Sequence, residues 1–402
     1  MVFIKLSISP DATFLNSLLF EGLLFTIKNA TNKIKFEGFD KISVTSDSFV
    51  EVYSKLDDNV LNKLTINTVG KNDAPFWQNL FKSFNITIKE GDKITSYSHI
   101  LNKLKSNSKN LIINRDVEIG YNIIGKNFII DKGEITAPQL FKVERYTGIT
   151  SLESDITTEQ ITVRNSREIL LLALLGIYSS FIITTKILDK TSYYFLFLSP
   201  EETTKLIYER NINLIDSVFR VKDKIKESLK DILDYAQLSP ESLIIETLLN
   251  LSFIETLEKS NLDKISLILF RIDHEGQTYK IYDQLPIYVY RKSFAYEILN
   301  KYFSEKEEFC NEISKALNRN GIIGKSLINY IKGGEVKEAP ALLRAIKELY
   351  RFVVFADASG LFGFLRNLQD AVNILRAENK RLDDMKRYVE LISKIEYYAR
   401  KY

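Results

Sequence analysis

One cysteine, two histidines and one tryptophan among 402 residues leave little thiolate or imidazole chemistry to work with. Cys310, His99 and His274 also stand far apart in the chain. A zinc or iron centre built on such groups uses roughly three or four of them. A Ser-His-Asp or Cys-His device needs a histidine held by an orienting partner. The composition therefore argues against both, and the chain reads as a protein that binds, not an enzyme, with no metal and no cofactor expected. A lone cysteine excludes an internal disulfide, which fits a reducing, cytoplasmic setting. The opening MVFIKLSISPDATF lacks a basic stretch leading into an apolar run and reads as a first strand, not a signal peptide.

Charge of either sign is not in excess: 55 Lys and Arg face 52 Asp and Glu, a formal net charge of +3. Any nucleic-acid contact must then come from local positive charge or from partners. Long apolar runs are scarce as well. The uncharged stretch from Ile169 to Thr185, ILLLALLGIYSSFIITT, is marginal for a hydrocarbon core about 30 Å thick. Gly176 and Ser179-Ser180 interrupt it, so it reads as a buried helix over 167–178 turning into a strand over 181–187, with no membrane span. What the chain does have is aromatic bulk, 25 Phe and 21 Tyr, ample for a core and for an interface.

The patterning predicts an α+β fold: a mixed α/β N-terminal region, 1–137, a central mixed α/β region, 138–300, and a mainly helical C-terminal bundle, 301–402. After the first strand, Ser9-Pro10 resembles a helix start for a helix reaching about residue 27. Strand-like runs follow at 33–37, 42–45 and 49–53, then helices at 57–64 and 75–84, a loop at 104–110, and short strands at 111–113 and 128–130. Ser199, Pro200 and Glu202 form a strong helix start, and LSPES at 238–242 repeats that chemistry. A charged amphipathic helix is expected at 221–235 and a hairpin around His274-Glu275-Gly276. At the C-terminus one helix is expected at 341–355 and a longer one at 361–398. The longer one carries an apolar stripe at four-and-three spacing, interrupted by Asn379 and Lys386. It reads as a helix of an intramolecular bundle.

Several motifs invite chemistry. GIIGKS, Gly321–Ser326, is not a Walker A loop, because Arg319 stands where that loop needs its first glycine. It remains a basic turn in which Arg319 and Lys325 can meet phosphate while the glycines let backbone N–H groups approach. GLFG at 360–363 lacks the small sheet that a KH clamp requires, so Gly360 reads as a helix stop, with Ser359 as a cap. Asp57-Asp58 and Asp383-Asp384 each diverge by about 100° on a helix and read as solvated surface. Asp273-His274 lacks the further histidines of a metal-dependent HD site. Arg344, Lys347 and Arg351 share one helical face that can follow a phosphate backbone, with Glu348 expected elsewhere on the wheel. Lys71-Asn72 sits in an expected loop before Pro75 that can enter a groove and read base edges.

Three stretches in order carry a resemblance: TAPQLFKVERYTGITSLES at 136–154, EILLLALLGIYSSF at 168–181 and ELYRFVVFADASGLFGFLRNL at 348–368. They resemble the large subunit of archaeal type I-A CRISPR interference complexes, the Cascade-type RNA-guided effectors. The resemblance implies a non-catalytic subunit. It would sit with CRISPR RNA, backbone subunits and a small helical subunit, help recognise the motif beside a double-stranded DNA target, hold the separated strands and recruit the helicase-nuclease. In such complexes base pairing reads the target while protein reads the adjacent motif. Two other readings stay open on the residues alone: a metal-dependent nuclease using carboxylates, and a protein-interaction scaffold without nucleic-acid contact.

Overall fold

The structure is a computed structural model that describes residues 1–30, 33–88, 94–125, 127–146, 162–187, 190–233, 240–291, 297, 299–301, 303–379 and 381–399. The chain divides into two units, residues 1–219 with 266–286 and residues 220–265 with 287–402. The architecture is α+β, with sheets toward the N-terminus and a helical C-terminal region.

In the first unit the N-terminal strand forms as expected, as β1 (Val2–Leu6). The helix after it starts later than Ser9-Pro10 predicts. α1 runs Phe14–Asn29, because Asp11 accepts from Thr13 N–H at 2.8 Å and Asn16 reaches back to Ser9 C=O at 3.1 Å. That local network holds residues 9–13 as a turn. β2 (Ile34–Phe36), β3 (Lys41–Val44) and β4 (Val117–Ile119) complete a sheet of order β2-β3-β1-β4, parallel only between β1 and β4. The expected strand at 49–53 is a helix, α2 (Ser48–Ser54). Its buried positions, Ser48, Phe49, Val52 and Tyr53, recur at helical spacing. α3 (Asp58–Lys63) is capped by Asp57, whose carboxylate accepts from Asn59 N–H at 2.7 Å. α4 (Gly70–Ser83) begins five residues before Pro75, and α5 (Tyr97–Ser106) extends into the expected loop. Residues 111–113 form no strand. β5 (Tyr121–Ile124), β6 (Asn127–Ile130), β7 (Ile135–Thr136) and β8 (Thr162–Asn165) make a small sheet of order β5-β6-β8-β7. A 3-10 segment, Gln139–Tyr146, follows β7.

The apolar stretch reads correctly. α6 (Arg167–Ser180) leads directly into β9 (Phe181–Ile187). α6 and α1 are apolar on nearly every face and both are buried, as such helices must be. They cross at glycine: a Cβ on Gly22 would stand 1.9 Å from Leu172 O, and one on Gly176 would stand 2.1 Å from Leu18 O. Among the described residues no helix is long and apolar enough to cross a membrane. β10 (Lys190–Leu198) pairs with β9 and with β11 (Lys264–Glu275), and β12 (Thr278–Tyr290) closes an antiparallel order β12-β11-β10-β9. The expected hairpin is present, and Gly276 supplies its positive φ of 61°. Phe14 of α1 meets Phe195, Phe197 and Phe270 edge to face at 5.0–5.6 Å, which anchors helix to sheet.

Ser199 caps α7 (Pro200–Glu209) as predicted, accepting from Glu202 N–H at 3.2 Å. The Glu202 carboxylate instead reaches Ser266 N–H at 3.3 Å, so it braces the sheet. α8 (Ile212–Leu233) covers the expected amphipathic helix; residues 234 and 235 lie outside the described residues. Residues 238 and 239 of the second start signal also lie outside them, as do residues 147–154 of the first resembling stretch.

The second unit gathers α9 (Pro240–Leu249), α10 (Leu251–Lys259), α11 (Lys306–Leu317), α12 (Ile322–Ile331), α13 (Ala339–Phe355), α14 (Ala358–Glu378) and α15 (Leu382–Ala399). One apolar core runs through it from Ile245 and Phe309 to Leu349, Phe364 and Tyr388. The expected helix at 361–398 is two helices. Asn379 and Arg381 take positive φ of 50° and 51° and end the first one. The apolar stripe stops there: Leu382 and Val389 are exposed, while Tyr388, Leu391 and Ile395 turn inward. Gly360 is not a stop. It lies inside α14, where a Cβ would meet Glu348 O at 2.5 Å, and Asp357, not Ser359, caps that helix.

Candidate nucleic-acid interface

The turn between α11 and α12 builds a basic concavity in the second unit. Asn318 ends α11 and its Oδ1 accepts from Asn320 N–H at 2.9 Å, which fixes the turn and leaves Arg319 exposed at its tip. Gly321 opens α12. Both glycines of the GxxG lie against the backbone of the preceding helix. A Cβ on Gly321 would stand 2.1 Å from Lys315 O, and one on Gly324 would stand 2.2 Å from Asn318 O. The turn therefore sits directly on the end of α11.

Along α12, Lys325, Asn329 and Lys332 follow at helical spacing on one face. The start of α15 brings Arg381 and Asp384 to the same place. Together with Arg319 these residues line a cavity of about 460 Å³. That volume lies within the usual range for a small-ligand site, about 300–1,000 Å³. Four cations thus converge with one carboxylate. Lys325 and Lys332 are exposed and have no ion-pair partner among the described residues. Arg381 is held at 2.5 Å by Glu338, which is fully buried, and lies 3.9 Å from Asp384. Tyr388 Oη fastens α15 to α12 by hydrogen bonds to Ile322 O at 3.2 Å and Ser326 Oγ at 3.0 Å. Burial pushes that phenol well above its usual range, so it stays neutral.

Arg344, Lys347 and Arg351 share an exposed face of α13, but they are not equivalent. Arg344 Nε donates to Asn367 Oδ1 at 3.1 Å, and Lys347 has no partner among the described residues. Arg351 binds Glu348 at 2.9 Å, bonds Asp357 and donates to Ser359 at 3.1 Å. Of the three expected phosphate contacts, Arg351 is thus the one engaged by acidic neighbours. Glu348 is one turn away and within reach, not elsewhere on the wheel. Asp357 beside the guanidinium raises the Arg351 pKa further, and Ser359 and Arg351 together hold Asp357 below the usual carboxylate range. Arg351 closes the corner between α13 and α14.

Lys71 and Asn72 belong to the first unit and lie in the first turn of α4, not in a loop. Asn72 Nδ2 donates to Gln277 Oε1 at 3.0 Å; the Lys71 side chain lies outside the described residues. Of the carboxylates weighed for metal, Asp57, Asp58, Asp273 and Asp384 have other partners. Asp57 caps α3, and Asp273 accepts from Arg271 at 3.0 Å and from Ser192 at 2.6 Å. Among the described residues no group of three or more His, Cys, Asp or Glu is placed to hold a metal ion. Sequence reasoning does not single out Arg381 as a site residue, because the apolar stripe keeps its spacing through the break at Asn379 and Arg381.

No family model matches the chain. No solved structure matches it either. A protein of Archaeoglobus fulgidus described as uncharacterized is 38% identical over 380 residues, which cover 94% of each chain.

Proposed function

The chain belongs to the same family as that Archaeoglobus fulgidus protein, and we propose that it is a non-catalytic large subunit of an RNA-guided CRISPR effector complex of type I-A. In this reading it helps recognise the target-adjacent DNA motif, holds separated strands and recruits the helicase-nuclease. The single observation that supports the nucleic-acid part is the convergence of Arg319, Lys325, Lys332 and Arg381 on one concavity. Cations gathered in this way grip phosphate without reading sequence. The three resembling stretches support the assignment to the effector complex. Two of them are well formed: α6 with the first residue of β9, and the end of α13 with the first half of α14.

The test is purification of the chain with its partners from the organism that makes it, followed by sequencing of the retained nucleic acid. The expected result is short RNA bearing repeat-derived ends, together with backbone subunits. Partners recovered without nucleic acid would overturn the reading. So would turnover of labelled DNA or RNA by the purified chain that disappears with one Asp or Glu substitution.

A further inference from the structure

The cavity on α12 holds one charge that a grip on nucleic-acid backbone does not explain. Its lining gathers Arg319, Lys325, Lys332 and Arg381, and beside them a single carboxylate, Asp384. An internal stretch of strand presents phosphates, which that carboxylate repels. Asp384 is not fully engaged by its neighbour. It lies 3.9 Å from Arg381, beyond hydrogen-bond length, and its side chain accepts no hydrogen bond among the described residues. Arg381 is held at 2.5 Å by the buried Glu338 and is thereby fixed. Lys325 and Lys332 have no ion-pair partner among the described residues. They stand two turns apart on α12, about 10 Å along its axis, with Asn329 between them on the same face. Ser326, nearly buried, lines the cavity as well, and its Oγ is tied to Tyr388 Oη at 3.0 Å. A cavity of about 460 Å³ with lysines at that separation has room for more than a bare phosphate ion.

Given a phosphate grip there, on which this rests, we propose that the concavity seats a nucleoside monophosphate. The phosphoryl oxygens meet the unpaired lysines, and a hydroxyl or amino group of the nucleoside donates to Asp384. Charge selects the first half. A phosphomonoester near pH 7 carries close to two negative charges on three acceptor oxygens, which two ammonium groups balance. A phosphodiester inside a strand carries only one. Hydrogen bonding selects the second half. An ionised carboxylate only accepts, so it needs donors, and a nucleoside brings them on its sugar hydroxyls and base amino groups. Inorganic phosphate has no such extension, and an unphosphorylated nucleoside has nothing for the lysines. The same chemistry arrives as a free nucleotide or as the phosphorylated end of a strand.

The test is calorimetric titration of the full-length chain with adenosine monophosphate, adenosine and inorganic phosphate. The monophosphate is expected to bind about tenfold more tightly than either fragment, the worth of one hydrogen bond to a charged group. A monophosphate that binds no better than inorganic phosphate overturns the proposal. Oligonucleotide binding that persists in that case leaves the phosphate grip standing, and its loss removes the grip as well. A single strand with a terminal phosphate, compared with the same strand ending in hydroxyls, separates the two sources. Preference for the phosphorylated strand marks a strand end, and equal affinity marks the free nucleotide. The variant Asp384→Ala supplies a second measurement. It should bind inorganic phosphate more tightly, because a repelling charge is gone, while its preference for the monophosphate over inorganic phosphate falls about tenfold. An unchanged preference, at an unchanged melting temperature, overturns the proposal.

Discussion

Glu168 is fully buried and paired on two sides, with Arg115 at 2.7 Å and Arg167 at 2.9 Å. Arg115 also bonds Asp131 at 2.6 Å. Removing one member of a buried pair leaves an uncompensated charge, which is the costly event; the pair itself adds little net stability. Glu168→Ala should therefore lower unfolding stability in urea by about 3 kcal/mol, toward the low end for buried pairs because Arg115 keeps Asp131. A change under about 0.5 kcal/mol would mean the carboxylate is dispensable. His274 supplies a pH effect. Burial lowers its pKa from 6.5, with the Asp73 charge opposing. A depressed folded value means the unfolded chain takes up the proton first. His274 therefore contributes stability that is complete above 6.5 and is lost as pH falls through its lower folded value. Asp73 works in the opposite sense, because burial raises its pKa from 3.8. Relative to the variant His274→Gln, the native chain should lose melting temperature as pH drops from 8 to 5. Parallel curves across that range would remove His274 from the account.

At the scale of elements, glycine decides where helices can touch. Gly22 and Gly176 each face the backbone of the other helix, so α1 and α6 approach as closely as two main chains allow. Gly176→Ala gains helix propensity of about 1 kcal/mol but pushes a methyl into Leu18 O. The net expectation is destabilisation of about 2 kcal/mol by urea titration, because overpacking costs about 1–3 kcal/mol and here the neighbour is backbone. The double variant with Gly22→Ala should cost less than the sum of the single ones, since one displacement relieves both clashes. Additive losses would mean that the helices deform locally and do not move apart. The same scale shows what could be read in advance. The step from α6 to β9 was legible, since an uncharged helix followed by β-branched residues leaves one arrangement. The 49–53 run was not, because a short apolar stretch fits both periods and only packing chooses. The break at Asn379 was hidden by a stripe that kept its spacing through residues that do not stay helical. The cavity was half legible: Arg319 and Lys325 stood out as a basic turn. Arg381 joins them only through the reversal into α15, which no local pattern records.

The whole molecule carries a net charge of only +3, so a long-range field can contribute little to holding a polyanion. If the chain grips single-stranded nucleic acid through the cavity on α12, the affinity must come from a few local phosphate contacts, and the salt dependence will count them. Lys325 and Lys332 are the lining cations without an ion-pair partner among the described residues, and two such cations meeting two phosphates contribute about 1.4 to the slope of log K against log salt for a single strand. Lys325→Glu combined with Lys332→Glu removes both and should flatten that slope by about 1.4, measured by fluorescence anisotropy with a labelled oligonucleotide. Because both lysines are exposed, the fold should be spared, and an unchanged melting temperature checks this. Lys224→Glu is the control, reversing one charge where the double variant reverses two. It changes the net charge at an exposed position of the same unit, away from the residues that line the cavity. A local site predicts that this control keeps nearly the native slope. Flattening by about half as much with Lys224→Glu, in proportion to the charge it reverses, would trace the binding to overall charge, and the cavity would then have no special part in it.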